Sequence, residues 1–489
     1  MDHHRFCKAA VLGASFFTLL FASGCTQNPM TGRSEFTGLM PAQQEASIGA
    51  AQHEEIIKQY GGVYNNKAIQ SYVNEVGQKM AQYSERQDVQ YRFTVLDSPV
   101  VNAFALPGGY VYVTRGTLAV ANSEAELAAV LGHEIGHVAA RHQAARYSQG
   151  VLTQLGASVL SAAIGVPAAS QAIGLGTNLY MSSYSRDQET QADQLGVRYL
   201  SRSGYDMMGM SNFLRDMNLY QSTNAQIEGK NEKEFSYFSS HPDTAGRVQQ
   251  SRNEISKYPV QSSPTRNENR YLSMIRGMPY GESATQGFVR NGRFYHPDIG
   301  FTFNIPPTFN IDNQPQRIAI EGQEGTVLVL DMTKRGNNVG NAEDYVSGVW
   351  LKGQGTEALD SITVGGMPAA TTAVNVNINN QPAEIRLIAI EWSDAEFVRM
   401  QILIPRGASN AAVDDLKRIS YSFRRMNEGE RNSVRPYQVD LVTARAGDTA
   451  QSLAANMAVD KAKVEQFVAL NGLTPATPIV AGRSYKVVR

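Results

Sequence analysis

Residues 123–142, SEAELAAVLGHEIGHVAARH, constrain the fold more than any other stretch of the chain. Ser123, with Glu126 three residues later, is a capping box that starts a helix. Behind it Leu127, Leu131 and Ile135 recur at four-residue spacing, as do Val130, Glu134 and Val138. Helical residues four apart are neighbours, with Cβ atoms about 5–6 Å apart, so His133 and His137 can converge on one ion. Zinc is suited to imidazole, and a catalytic zinc takes three protein ligands and keeps one position for water. Glu134 lies beside the first histidine and can reach that water from the same turn. The stretch supplies two ligands and a base but lacks a third ligand. Alone, it is also compatible with an exposed helix face carrying two solvated histidines.

A second helix is expected from about Arg186 to Ser203, stopping at Gly204, and its first turns read SRDQETQADQLG (185–196). It offers Glu189, and Asp193 one turn later on the same face. A carboxylate is a proper third zinc ligand, and metal-bound histidines usually donate their other N–H to a carboxylate. Glu189 as ligand and Asp193 as the second-shell orienter of His133 meet both needs. Alone, the acidic pair reads as a solvated face; beside the first motif it reads as part of a metal site.

Five motifs in order now carry a family resemblance: NPMTGR (28–33), NAFALPGGYVYVTRG (102–116), HEIGHVAARH (133–142), SRDQETQAD (185–193) and SSHPDTAGR (239–247). Over residues 28–255 the chain resembles the gluzincin zinc metallopeptidases of the HtpX and CaaX-prenyl-protease family (metallopeptidase family 48), in the soluble periplasmic BepA-like branch. The resemblance implies one zinc ion per chain on His133, His137 and Glu189, with Glu134 as general base on a zinc-bound water. It assigns His241 and Arg247 to the catalytic surroundings of the metal. There His241 acts as an inhibitory fourth ligand or stabilises the transition state; it can also merely cap its helix. Asn102 and Pro107-Gly108-Gly109 resemble the edge of the substrate cleft, where an extended peptide adds as a strand. Pro107-Gly108-Gly109 is equally a hairpin turn. His142 lies five residues beyond His137 and reads as structural, and His53 and His296 as incidental.

The N-terminus reads as a lipoprotein signal peptide, residues 1–24. MDHHRFCK carries Arg5 and Lys8, and the apolar run 9–22 is shorter than the roughly 20 residues of a membrane span. The run ends in ASGC, which resembles a bacterial lipobox with Cys25 lipidated; plain cleavage beside an incidental cysteine is the alternative. Thr26, where Asp would signal inner-membrane retention, points to anchoring in the outer membrane of the cell envelope, facing the periplasm. Residues 25–36 read as a tether. Cys7 and Cys25 are the two cysteines, so a mature chain lipidated on Cys25 has no thiol for a disulfide or for catalysis. A formal net charge of −1 gives no global electrostatic reason to expect nucleic acid.

A length of 489 residues suggests about three domains, and 42% hydrophobic with 18% charged residues can build packed cores. The expected fold is multidomain. A mainly α gluzincin-type metallopeptidase domain with a small β-sheet spans 37–258. Its helices lie at 41–60, 66–84 and 208–222, its strands at 91–97 and YVYV (110–113), and Pro242 sits in the first turn of a short helix. The Ala-, Gly-, Leu- and Ser-rich stretch 150–180 reads as an Ala-rich core helix, or as an active-site cover or membrane contact. After a linker near 257–270, an α+β domain with an antiparallel sheet covers 270–425, expected from its position alone to recognise a substrate or partner. A second polar linker, 427–434, leads to residues 436–489, which resemble a small βααβ LysM module through a GDT turn and LNGL. That resemblance implies binding to glycans such as peptidoglycan, although Ala450 stands where a larger apolar residue usually follows GDT. No long internal repeat is visible, whereas BepA-like proteins usually continue into helical repeats. The expected function is a zinc metalloendopeptidase cleaving protein or peptide substrates in envelope quality control; the alternative is a lipid-anchored scaffold or chaperone with a mostly closed site.

Overall fold

A computed structural model describes residues 25–27, 32, 34–151, 183–228, 241–242, 244–352 and 358–489. The expectations placed on 1–24, on nearly all of 150–180 and on all but one residue of NPMTGR lie outside the described residues. The chain forms two compact units. One comprises the described residues up to Ile57, Gly62–Gly281 and Tyr437–Arg489; the other comprises Glu282–Pro436 with Lys58–Gly61.

The first unit opens with a ladder where a tether was expected: β1 (Cys25–Gln27) pairs antiparallel with β2 (Ser34–Phe36). Between the two strands only Gly32 is described, with a φ of +64°. Helices α1 (Ala42–Gln59) and α2 (Lys67–Ala81) follow as expected, and Ile69, Val73, Val76 and Met80 are buried. The small sheet runs β3 (Arg92–Leu96), β5 (Tyr110–Thr114), β4 (Ala103–Leu106), with β3 parallel and β4 antiparallel to β5. Gly108 and Gly109 turn the β4–β5 hairpin with φ of +79° and +88°. The turn packs on α1 so closely that a Cβ on Gly108 would lie 2.5 Å from Ala46 Cα.

After α3 (Arg115–Val120), helix α4 (Glu124–Ala139) runs through the centre, all sixteen of its residues buried. A helix with apolar residues on every side is an interior helix. Its neighbour α5 (Arg186–Ser203) ends on Gly204 in the left-handed conformation. The two approach through small residues. A Cβ on Gly132 would sit 3.4 Å from Gly196 Cα, and one on Gly136 would sit 3.0 Å from Ala192 O. That close crossing brings the His133/His137 face of α4 to Glu189.

Helix α6 (Met208–Glu228) runs six residues past the expected end. Helix α7 (Thr244–Ile255) begins after Pro242 instead of around it; proline biases the residue before it, here His241, away from the helical region. The expected linker at 257–270 runs into α8 (Glu268–Ile275), whose Tyr271, Leu272 and Ile275 join the core of this unit.

The second unit stacks two antiparallel sheets and a helix around a core of Phe294, Phe301, Phe303, Ile388, Val398 and Phe423. Its strands are β6 (Phe288–Arg290), β7 (Arg293–His296), β8 (Phe301–Asn304), β9 (Asn310–Gln314), β10 (Arg317–Glu321), β11 (Val327–Lys334), β12 (Leu359–Val364), β13 (Met367–Ile378), β14 (Gln381–Glu391), β15 (Glu396–Pro405) and β16 (Arg424–Arg425), with helix α9 (Asn410–Ser422). The seven-stranded sheet has the order β12-β13-β14-β15-β11-β10-β9, the other β16-β8-β7-β6. The hairpin joining β14 to β15 is the expected one. The polar segment 427–434 holds a short exposed helix, α10 (Glu428–Ser433), capped by Asn427 and Glu430; a helix without apolar residues escapes detection by periodicity.

The C-terminal segment returns to the first unit. Its order is β17 (Val439–Thr443), α11 (Ala450–Ala454), α12 (Lys463–Leu470), β18 (Ser484–Val488), with β17 antiparallel to β18. Beside β17, Gly277 N and Tyr280 N donate to Val439 O and Tyr437 O, both at 2.7 Å. Phe467, Leu470, Tyr485 and Val487 share the core of α4. Lys486 is fully buried, and its Nζ donates to the carbonyls of Ala119, Val120 and Ala121 at 2.6, 3.1 and 2.8 Å.

Candidate metal centre

The N-terminus of α4 is half of the expected box. Ser123 Oγ accepts from Glu126 N at 3.2 Å, but Glu126 reaches past the cap and accepts from Asn122 N at 2.6 Å. One turn apart on the far half of α4, His133 and His137 bring their Nε2 atoms to 3.0 Å. Glu189 on α5 places Oε2 3.6 Å from His133 Nε2 and Oε1 3.3 Å from His137 Nε2. His241, just before α7, places Nδ1 2.9 Å from Glu189 Oε1 and 3.3 Å from His133 Nε2. One donor atom from each of the four lies within 4.8 Å of the others.

The surroundings orient this set. Asp193 Oδ1 lies 2.8 Å from His133 Nδ1, which leaves Nε2 facing the cluster. Arg247 on α7 donates to both oxygens of Asp193 at 2.8 Å, and its Nη1 also contacts Glu189 Oε2. Burial, the largest single influence, pushes Asp193 and Glu189 upward, but the lowering groups together outweigh it: Arg247 with His133 holds Asp193 below the ordinary carboxylate value, and Arg247 with His241 and His137 holds Glu189 well below it. Burial holds His137 well below the ordinary histidine value. Burial lowers His241, but the charge and hydrogen bond of Glu189 together with the charge of Glu134 more than offset it, and His241 is raised.

Glu134 is fully buried, and among the described residues neither of its carboxylate oxygens has a hydrogen-bond partner. Its nearest opposite group is His241 Nε2 at 3.7 Å, and burial raises its pKa. An orphaned buried carboxylate beside two to three nitrogen donors and a second carboxylate fits a zinc site with a reacting group next to it. Among the described residues, no other group of three or more His, Cys, Asp or Glu side chains converges in this way.

The cleft candidates divide. Asn102, buried, exchanges backbone hydrogen bonds with Thr114 and leads into β4. Ala103 O, next along the chain, lies 3.3 Å from His241 Nε2, and Ala105 O accepts from Gln143 Nε2 at 3.4 Å. Strand β4 is the sheet edge, so these groups meet two of its outward carbonyls. Pro107 and Gly108, after the other end of β4, pack against α1, and Gly109 packs against Val89 and Gln90.

His142 meets the cluster, although its sequence spacing suggested otherwise. Helix α4 ends at Ala139, and Arg141 takes a φ of +55° before a new helical stretch, 142–151. The break swings His142 back until its Nδ1 lies 2.9 Å from His137 Nδ1. No glycine or proline announces the break. It is held from outside, by Arg141 donating to Glu45, Thr37 and Met40 O. Tyr184 is a second contact that sequence reading missed: its ring stacks on His137 with centroids 3.7 Å apart and planes 20° from parallel. Burial raises the Tyr184 hydroxyl and lowers His142 to about 4. His53 bonds Tyr112 Oη at 2.7 Å, and His296 lies in the second unit, both outside the cluster.

Residues 67–255, which contain every member of this cluster, match peptidase family M48. This segment is a peptidase family M48 domain. A beta-barrel assembly-enhancing protease of Escherichia coli K12 is 29% identical over 47% of this chain and 46% of its own. A putative beta-barrel assembly-enhancing protease of Vibrio cholerae is 33% identical over 31% and 33%. The mitochondrial metalloendopeptidase OMA1 of Schizosaccharomyces pombe is 27% identical over 45% and 63%. The chain thus spans about half the length of the curated relatives it matches. The M48 domain ends before α8, and the second unit and the C-terminal segment lie outside it.

Proposed function

We propose that this chain is a zinc-dependent endopeptidase of the bacterial envelope, acting on protein substrates in quality control. One observation carries the reading: the Glu134 carboxylate is buried and unpaired beside the donors of His133, His137 and Glu189. Zinc bound there supplies Lewis acidity, polarising a carbonyl and acidifying water. Glu134 takes the proton of the attacking water and passes it to the leaving amine, a role worth about 10²–10⁴-fold. Asp193 fixes the tautomer of His133, and Arg247 keeps Asp193 and Glu189 ionised. His241 stabilises developing charge or acts as a brake, and a peptide adds to the edge strand β4.

The periplasm-facing location rests on the signal-like residues 1–24 and on Cys25 as lipid anchor. Among the described residues no helix is long and apolar enough to cross a membrane. The names of the relatives support an envelope protease. Residues 436–489 are a candidate peptidoglycan-binding LysM-like module, tested by pull-down on purified peptidoglycan with and without the segment.

The scaffold reading gains support from the closed state of the site. All four donors are at most 2% exposed, and His241 and Gln143 occupy carbonyls of β4. Zinc content and casein cleavage by the detergent-solubilised chain separate the two. Zinc in wild type and Glu134→Gln, with cleavage in wild type alone, establishes the peptidase. A gain in His241→Ala makes His241 a brake, whereas zinc without cleavage in any form favours the scaffold.

A further inference from the structure

His133 and His137 receive different support at the nitrogen that faces away from the cluster. His133 Nδ1 meets the Asp193 carboxylate at 2.8 Å. His137 Nδ1 meets another imidazole, His142 Nδ1, at 2.9 Å, and His142 Nε2 meets Gln191 Oε1 at 3.0 Å. The direction of this chain follows from its far end. Gln191 Oε1 accepts only, so the His142 proton sits on Nε2 and its Nδ1 is a bare lone pair. That lone pair accepts from His137 Nδ1–H, and His137 Nε2 is left unprotonated, toward His133 and Glu189. Gln191 lies on α5 between Glu189 and Asp193, so one helix supplies a donor to the cluster and an orienter for each histidine. Tyr184 stacks on His137 at 3.7 Å, and the Arg146 guanidinium lies 4.1 Å from the Tyr184 ring centre, which restrains rotation of the His137 ring.

We propose that His142 and Gln191 are positioning residues: a neutral relay, Gln191 Oε1···H–Nε2 His142 Nδ1···H–Nδ1 His137, sets the tautomer of His137 for metal binding. The inference rests on the zinc reading of the cluster. Outer partners of metal-bound histidines typically contribute 10–100-fold to metal affinity. A neutral imidazole suits this position, since a further carboxylate here would add negative charge to an interior that already holds Glu134, Glu189 and Asp193, with Arg247 paired to two of them and the Arg146 guanidinium over the Tyr184 ring.

The test is zinc affinity by chelator competition, with the visible spectrum of the cobalt-substituted full chain, for wild type and four variants. His142→Leu removes the acceptor and is expected to weaken zinc binding about 10- to 100-fold and to alter the cobalt bands. His142→Asn keeps an acceptor where Nδ1 stood and is expected to stay within a few-fold of wild type. Gln191→Leu, on a half-buried side chain that folding tolerates, frees the His142 tautomer and weakens zinc binding. Gln191→Glu keeps the acceptor and retains it. A purely packing role predicts instead that His142→Asn fails as badly as His142→Leu and that the two Gln191 variants behave alike; either result overturns the relay. Unchanged affinity and spectrum in folded His142→Leu and Gln191→Leu overturns it too. Failure of wild type to bind zinc sinks the metallopeptidase reading itself, a different outcome.

Discussion

Helix α4 carries a buried ionic cluster at each end, and the two differ in how their hydrogen bonds close. At the N-terminal end Lys486, Glu126 and Asp216 are all at most 2% exposed. Lys486 donates to three carbonyls, Glu126 accepts from Asn122 N and Ser123 Oγ, and Asp216 accepts from Asn122 Nδ2 and Arg215 Nε. At the other end Glu134 is equally buried and has no hydrogen bond among the described residues. Leaving a carboxyl unpaired in the interior costs stability. On the proposed reading, the closed cluster serves as structure and the open one is kept for a ligand. Burial of charge does not separate a joint from a site; unfinished hydrogen bonding does.

The comparison is sharpest where the two clusters respond oppositely to loss of their charge. Glu134→Gln is expected to lower casein cleavage by about 10²–10⁴-fold or more, with zinc retained and the urea midpoint unchanged or raised. Lys486→Met is expected to cost about 3–5 kcal/mol in urea unfolding, because it leaves three buried carbonyls without their donor and removes a cation that acts on Glu126 and Asp216. Protein that still folds should bind zinc. Were Glu134→Gln as destabilising as Lys486→Met, the contrast between joint and site would collapse.

Gly472→Ala probes the joint more gently. Gly472 has a φ of +59°, and a Cβ there would lie 2.1 Å from Asp216 Oδ2. Overpacking at that contact is expected to cost about 1–3 kcal/mol, read as a lower urea midpoint with unchanged zinc affinity.

The smallest effect is on pH dependence. Burial lowers Lys486 to about 7, against an ordinary value of 10.5. Above about 7 the folded chain sheds this proton while the unfolded chain keeps it up to about 10.5, so this group adds stability as pH rises through that window. Glu126, raised to about 8 by burial, contributes the opposite trend between its ordinary value and about 8; loss of Lys486, which lowers Glu126, carries that unfavourable trend to higher pH in the variant and acts in the same direction. Wild type should therefore gain on Lys486→Met between pH 7 and pH 9, measured as the difference of urea midpoints. A constant difference would mean that Lys486 does not titrate there.

Much of the centre was legible. His133, Glu134 and His137 lie within one helix, where spacing alone fixes which side chains are neighbours, and Glu189 and Asp193 repeat that logic on α5. The hairpin at Pro107-Gly108-Gly109 was legible for the same local reason, but its packing on α1 was not. His142 escaped because the break at Arg141 is imposed by Glu45, Thr37 and Met40 from another part of the chain. Lys486 escaped because an isolated lysine in a C-terminal strand reads as solvated until its partners, residues 119–121, are placed around it.

Local periodicity, capping and i,i+4 spacing therefore determined, from the residues alone, the helices that carry the candidate metal donors and the antiparallel character of the second unit. The crossing of α4 and α5 through Gly132, Gly136 and Gly196, the turn of His142 onto His137 and the seating of the C-terminal segment on α3 and α4 were decided by tertiary structure. Each depends on contacts between residues far apart in the chain, and no local pattern encodes which distant groups will be there to satisfy them.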